Sequence, residues 1–368
     1  MDSKPLPRVS IVTPVYNNAE YLPECIESIL AQTHQNWDYT IVNNCSTDGS
    51  GDVARRYAAK DPRIKVRDNQ EFLRAVPNHN MALRQISPES KYCKIVFSDD
   101  WIFPRCLEEM VSAAEENPSV GIVGAYGLWE VMGRGFRKYE VMLGGLPYPS
   151  RVASGRDVCR RMFLEPLYLF GTSTSVLYRS DLVRNRDPFY NEGNIHADIE
   201  ACVILLKKYD FSFIHQILTF TRGRPEALSM MSVDMQMDFA CRLHTLTTHG
   251  RDFLADEEFE ACQDRLLNGY YNFLAVSVLR GRRDKKFWDY HKRKLTETVG
   301  FSWTRLAGAA VKRVCKAVLN PYETLAKLRH PRKLPVARAG SGNVVENRST
   351  INAKGPRQEL PGSAAPKC

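Results

Sequence analysis

The chain has 368 residues, 43% of them hydrophobic and 25% charged, with 51 Lys/Arg against 42 Asp/Glu and a formal net charge of +9. That is ordinary globular composition and excludes collagenous, coiled-coil and wholly disordered chains. The charge is uneven: residues 280–333 hold 16 basic against 4 acidic side chains, residues 334–368 hold 5 against 2, and the first 279 residues hold 30 against 36. A mildly acidic body with a basic C-terminal segment argues against a general nucleic-acid binder, so no nucleic-acid partner is expected.

From residue 8 to about 126 short β-rich runs alternate with helical periodicity. Val9–Thr13 reads as a strand stopped by Pro14, and Leu22–Gln32 as a helix with Leu22, Ile26, Ile29 and Leu30 on one face. Asp38–Val42, Ile64–Arg67, Tyr92–Phe97 and Val120–Tyr126 read as further strands. Gly51–Ala59, Pro77–Ile86 and Pro104–Glu116 read as helices between them. Such alternation predicts βαβ units and a mostly parallel twisted sheet with helices on both faces. Residues 127–170 read as irregular, Thr174–Tyr178 and Phe211–Thr221 as strands, and 234–328 as helices beginning near Met235–Thr247 and Asp256–Val278. Leu334–Cys368 is rich in Gly, Ala, Pro, Ser and Asn and is expected to be a disordered tail.

The start of the chain lacks the apolar core of a secretory signal, and no segment has the unbroken apolar length of a membrane span, so a cytoplasmic protein is expected. The ten cysteines are nowhere closer than thirteen positions and form no C-x-x-C. That is neither zinc-site nor compact disulfide spacing, and buried reduced thiols are expected.

In open parallel sheets ligands bind beyond the carboxyl ends of the strands. Three strand ends carry polar residues there: Pro14-Val15-Tyr16-Asn17-Asn18, Asn43-Asn44-Cys45-Ser46-Thr47-Asp48-Gly49, and Ser98-Asp99-Asp100. Two adjacent carboxylates suit a divalent cation that clamps a diphosphate. The same pair also serves as a turn or helix cap before Pro104, and Asn-Asn before Ser-Thr-Asp-Gly as a turn. The order of the three is more informative than any one of them.

Val9-Ser-Ile-Val-Thr-Pro-Val-Tyr-Asn, Leu22-x-x-Cys-Ile-x-Ser-Ile-Leu-x-Gln-Thr, Ser46-Thr-Asp-Gly-Ser and Ser98-Asp-Asp-Trp-Ile-x-Pro together resemble family 2 glycosyltransferases over residues 7–230. The resemblance implies the GT-A fold, an inverting transfer from a nucleotide-diphosphate sugar, with a UDP-sugar favoured, and Mn²⁺ or Mg²⁺ as cofactor. It implies that Pro14, Tyr16 and Asn17 border the nucleotide. Asn43 and Asn44 take the place of paired aspartates that meet base and ribose, keeping an acceptor but adding a donor and losing charge. Asn80 matches the Asn of an Ala-Arg-Asn motif in which His79 replaces Arg. Ser98, Asp99 and Asp100 match the end of an Asp-x-Asp-Asp motif whose first carboxylate is Phe97 here. By this resemblance Asp100 meets the metal, and Asp99 the ribose or the metal. Arg222 and Arg224 fall in the segment that closes over the diphosphate, Arg224 standing where His often helps bind metal; both arginines also suit a solvated surface.

The resemblance aligns Asp198 with the base that takes the acceptor's proton, with Ala197 where many members have Glu. Glu200, two positions on, lies about 200° around a regular helix and cannot face the same site. Both carboxylates also suit the helix N-terminal dipole. His196 reads as structural, or as a metal or acceptor contact, and Trp101 and Tyr168 as core aromatics or stacking partners for sugar or base.

In Leu306–Leu319, Val311, Val314, Cys315 and Val318 share one helical face and Lys312, Arg313 and Lys316 the other, downstream of the cationic, aromatic run Arg280–Lys294. This fits an anionic membrane surface or a helix packed on the body with a solvated basic side. The expected organisation is a transferase domain over 1–230, a basic helical region over 231–333 and a tail over 334–368. The expected activity is sugar transfer to a glycan or lipid-linked glycan in surface-polysaccharide biosynthesis; the rival reading is an inactive nucleotide-sugar- or glycan-binding protein of the same fold, which Phe97, Asn43 and Asn44 keep in view.

Overall fold

The computed structural model describes residues 5–133, 136–142, 146, 151–165, 169–224, 232 and 235–319. The tail, Tyr168 and the helical reading beyond Leu319 lie outside the described residues. The elements run β1 (Val9–Val15), α1 (Leu22–Leu30), β2 (Trp37–Asn43), α2 (Ser50–Ala58), β3 (Ile64–Asp68), α3 (Ala75–Leu83), β4 (Tyr92–Ile95), β5 (Trp101–Ile102) and α4 (Cys106–Glu116). Then come β6 (Val120–Gly133), β7 (Phe136–Met142), β8 (Val152–Ala153), α5 (Gly155–Leu164), β9 (Val176–Arg179), α6 (Ser180–Arg184), α7 (Ala197–Leu205) and β10 (Asp210–Thr221). Among the described residues four α-helices follow: α8 (Asp238–His249), α9 (Asp256–Leu279), α10 (Lys285–Thr298) and α11 (Trp303–Leu319).

One ten-stranded sheet has the order β3-β2-β1-β4-β9-β6-β10-β5, with β7 on β6 and β8 on β10. Strands β3, β2, β1 and β4 are mutually parallel, as are β6 and β10, while β9 runs antiparallel between β4 and β6. The period of two sorts side chains to both faces. Val9, Ile11 and Val15 of β1 join Tyr39 and Ile41 in a core with α1 and α4, whereas Val12 and Val42 join a second core with α3, α5 and α7. Helix α1 meets the first core through Leu22, Cys25, Ile26 and Ile29, an i, i+3, i+4, i+7 stripe behind a Pro in its first turn.

The irregular reading of 127–170 is corrected: β6 continues to Gly133, pairs antiparallel with β7, and is followed by β8 and α5. Exposed Tyr139 and Val141 on β7 explain the weak signal, because an edge hairpin with little core behind it does not alternate cleanly. Thr174 lies inside a short 3-10 turn, Ser173–Ser175, and β9 opens only at Val176. The nine described cysteines are all free; seven are buried, with Cys45 and Cys315 exposed.

Helices α8 to α11 share a core of their own through Leu243, Tyr270, Leu274, Phe287, Leu295 and Leu306. Arg305 approaches Asp264 at 4.0 Å and Arg313 approaches Asn272 at 3.5 Å. The two contacts advance together, so α11 runs parallel to α9. No helix among the described residues is long and apolar enough to cross a membrane.

Candidate active site

The parallel register sets Val15 beside Asn43 and Val12 beside Ile95, so the loops after β1, β2 and β4 emerge side by side. They open on a cavity of about 450 Å³, a size that accommodates a small-molecule ligand. Pro14, Tyr16, Asn44, Ser98, Asp99 and Asp100 line it, as do Arg222, Arg224 and Asp198.

The acidic pair sits in a frame of donors. Asp100 is buried; Thr174 Oγ1 donates to its Oδ2 at 2.7 Å and the Arg222 amide to its Oδ1 at 3.1 Å. Burial, and then the adjoining Asp99 charge, pushes the Asp100 carboxyl up to about 8. Asp99 Oδ2 accepts from Arg224 Nε at 2.7 Å and Nη2 at 2.6 Å. Arg224 Nη1 also donates to Asn18 Oδ1 at 2.7 Å, and Asn18 Nδ2 to Ser98 Oγ at 2.5 Å. Arg222 spans Glu24 and the Asp99 carbonyl and lies over the Tyr21 ring at 4.8 Å. Neither arginine is simply solvated: both close on the acidic pair.

The Asn and Ser residues after β1 and β2 shape the loops. Asn17 takes the left-handed conformation at φ 48°, and its Oδ1 accepts from the Thr47 amide at 2.8 Å. Asn43 Nδ2 donates to Asp68 Oδ1 at 2.7 Å, and Asn43 is not among the cavity-lining residues. Asn44 reaches the cavity, but its side chain holds the Leu73 backbone: Nδ2 donates to the carbonyl at 2.8 Å and Oδ1 accepts from the amide at 2.9 Å. Asn80 is buried beneath the cavity, bonding the Tyr190 amide and carbonyl at 2.8 and 2.9 Å. Asn17, Asn43 and Asn80 thus act on the walls from outside.

Asp198 enters the cavity at the start of α7, where burial raises its carboxyl above the ordinary range against the opposing pull of His196. His196 also lines the cavity and bonds Ser232 at 3.3 Å. Glu200 faces away, as its helical angle requires. His79 and Phe97 also line the cavity and pack on each other with centroids 4.8 Å apart, and burial pushes the His79 imidazole down to about 4, leaving it neutral. The Arg-to-His and Asp-to-Phe departures noted in the sequence are therefore neighbours, an aromatic contact in place of two charges. Trp101 stacks on Phe220 at 4.7 Å and does not line the cavity, so its aromatic role is packing.

Sequence reasoning missed Thr174 and Phe72, and placed Asn18 in the first strand-end loop without assigning it a role. Thr174 lies 74 residues beyond the carboxylate it holds, with no local signal. Exposed Phe72, outside every motif, meets Tyr16 with ring centroids 4.8 Å apart at the cavity. Oxygen-rich Asp99 and Asp100 fit a hard divalent cation; no cluster of three or more His, Cys, Asp or Glu stands there among the described residues. Such a cation would take its other ligands from phosphate and water, as Mg²⁺ commonly does.

The sheet order, flanking helices and strand-end acidic site define a GT-A glycosyltransferase fold. Residues 10–185 match the family model "Glycosyl transferase family 2". Bacillus subtilis (strain 168) TuaG, a glycosyltransferase named for teichuronic acid biosynthesis, is 37% identical over 94 residues, 26% of this chain and 36% of TuaG. The chain likewise covers only 38% and 54% of two other curated relatives. S. aureus TarS 1-349, solved with UDP-GlcNAc, superposes with a TM-score of 0.55 at 17% identity, covering 79% of this chain and 80% of that one. The Pyrobaculum calidifontis mannosyltransferase PcManGT, solved with GDP-Man and Mn²⁺, gives 0.51 at 15% identity, covering 90% and 85%.

Proposed function

We propose that this chain is an inverting glycosyltransferase that moves a sugar from a nucleotide-diphosphate donor to a glycan or lipid-linked glycan in surface-polysaccharide assembly. The observation that carries this reading is one cavity lined by the acidic pair, both arginines and Asp198 together. The TuaG name supports the surface-polysaccharide setting, and the TarS and PcManGT ligands support a nucleotide sugar.

Tyr16 and Phe72 offer apolar faces for the base, and Asn44 and Ser98 border the ribose. Arg222 and Arg224 neutralise the diphosphate, Arg224 by exchanging Asp99 for phosphate oxygens. Asp99 and Asp100 hold a divalent cation, which stabilises the leaving diphosphate when bound. Asp198 takes the proton from the acceptor hydroxyl as that oxygen attacks the anomeric carbon from the face opposite the leaving group. In this reading Asn17, Asn43 and Asn80 serve donor binding by fixing the loops around it. A thermal-shift screen of UDP-, GDP-, dTDP- and CMP-sugars, each with and without Mn²⁺, tests the donor site. The matching donor at about 100 times its Kd adds about 2.7 kcal/mol to stability. A flat response across the panel with either cation condition would sink the reading.

The basic helices belong to the same proposal as a contact with an anionic membrane. Val311, Val314, Val318 and Leu319 of α11 are 47–79% exposed, beside Lys312, Arg313 and Lys316. The parallel end of α9 exposes Val278 and Leu279 near the Arg280–Lys286 run. Apolar side chains among cations suit the headgroup boundary, where each Lys or Arg contributes about 1 kcal/mol. Val314→Glu with Val318→Glu should cut cosedimentation with phosphatidylglycerol vesicles about tenfold or more. Unchanged sedimentation, or equal binding to neutral vesicles, would assign these helices to another partner.

A further inference from the structure

Glu200 lies on the opposite side of α7 from the cavity, and four side chains converge on its buried carboxylate. Asn191 Nδ2 donates at 3.0 Å, Asn194 Nδ2 at 2.9 Å, and His244 Nε2 and His249 Nε2 each approach at 3.3 Å. The asparagines belong to the loop leading into α7; the histidines belong to α8. Burial opposes the charge on Glu200, yet these hydrogen bonds hold its carboxyl well below the usual carboxylate range. The Arg186 guanidinium, half-buried, adds a further favourable charge.

Each asparagine is spent twice. Asn191 Oδ1 accepts from the Gly193 amide at 3.0 Å, and Asn194 Oδ1 accepts from the His196 amide at 3.0 Å. His196 caps α7, whose first turn carries Asp198. A continuous chain of bonds therefore runs from Glu200 through Asn194 to the backbone that aims Asp198. At the upstream end Asn80 fixes Tyr190 from below, so the whole 190–198 segment is tied at both ends.

This is a costly way to fasten a loop. An uncharged acceptor would satisfy two amides without burying a charge, and His249 leaves its Nδ1 buried without a hydrogen-bond partner to make the contact. What the charge adds is stiffness, since bonds to an ionised acceptor are shorter and stronger. A general base needs its oxygen held within about 0.5 Å of the productive geometry, and a misplacement of about 1 Å costs about 100-fold in rate.

We propose that Glu200 is a positioning residue for Asp198, and that α8, through His244 and His249, completes the transferase site from the C-terminal region; this rests on the reading of Asp198 as base. The N-terminal segment matched by the family model stops at residue 185, before every member of this network but Asn80. The C-terminal helices are thus part of the machinery that orients the reacting group.

The test uses the full chain and the donor found by the screen, with donor hydrolysis as the rate and calorimetry for donor affinity. Glu200→Gln, which keeps shape and removes charge, should lower kcat about 10- to 100-fold, leave the donor Kd within about twofold, and shift the lower limb of the pH–rate profile. His244→Ala/His249→Ala should do the same, and His244→Gln/His249→Gln, whose side-chain amides stand in for Nε2–H, should restore most of kcat. Unchanged kcat and pH profile in Glu200→Gln would overturn the proposal, as would parallel loss of donor affinity without rescue by the glutamines. Should the alanine pair fail to fold, Glu200→Gln and the glutamine pair carry the test. Full activity in Asp198→Asn would instead refute the base reading itself; an inactive Asp198→Asn beside a fully active Glu200→Gln would refute positioning alone.

Discussion

Asp198→Asn should lower transfer by about 10²- to 10⁴-fold while donor binding persists, the span typical of losing a positioned general base. The amide keeps the volume and the hydrogen-bonding acceptor but cannot take a proton, so the loss appears in kcat with little change in donor KM. A pH profile sharpens the expectation. The base acts only when ionised, so turnover must fall as pH falls through its pKa. Burial raises the Asp198 carboxyl, so the limb should lie above the ordinary carboxylate range and vanish in Asp198→Asn. A limb that survives the substitution would give the proton transfer to another group.

Asp100→Asn should separate stability from function. In the free protein Asp100 is buried beside a second carboxylate, and its raised carboxyl records how poorly that place tolerates the charge. Removing the charge should raise the ligand-free unfolding free energy at pH 8 by about 1–2 kcal/mol, measured by urea titration. Retained bonds temper the gain: Asn Oδ1 can accept from the Arg222 amide, and its Nδ2 can face Thr174. Donor stabilisation in the presence of Mn²⁺ should fall to the level seen without the cation. A variant that is less stable and still responds to Mn²⁺ would show that Asp100 is a structural carboxylate and not a cation ligand.

The parallel half of the sheet was legible because β1, β2 and β4 are buried on both faces and read as short β-rich runs ending at polar loops. Those same ends located Tyr16, Ser98 and Asp99–Asp100, which reach the cavity. The sequence could not say which of the paired asparagines face a ligand, because an Asn that holds Leu73 and one that holds Asp68 have the same chemistry. Nor could it show partners chosen by tertiary approach. Thr174 meets Asp100 because antiparallel β9 passes beside β4, and His244 and His249 meet Glu200 because α8 packs on α7. The helical angle did predict correctly that Glu200 and Asp198 part company. The hairpin of β6 and β7 escaped because its outer strand has no core to enforce alternation.

Asp100 also carries a consequence for how the chain is made. Its donors are Thr174 and the Arg222 amide, and Arg224 pairs with Asp99, so the groups that balance the acidic pair are synthesised up to 125 residues after it. A nascent or truncated chain ending between Asp100 and Arg222 holds two adjoining carboxylates with neither guanidinium to face them. The β1–β4 layer can form before that point, but its polar edge stays repulsive until β10 closes the sheet. Premature termination in this interval should therefore yield fragments that expose an acidic edge to chaperones and proteases instead of a half-built transferase.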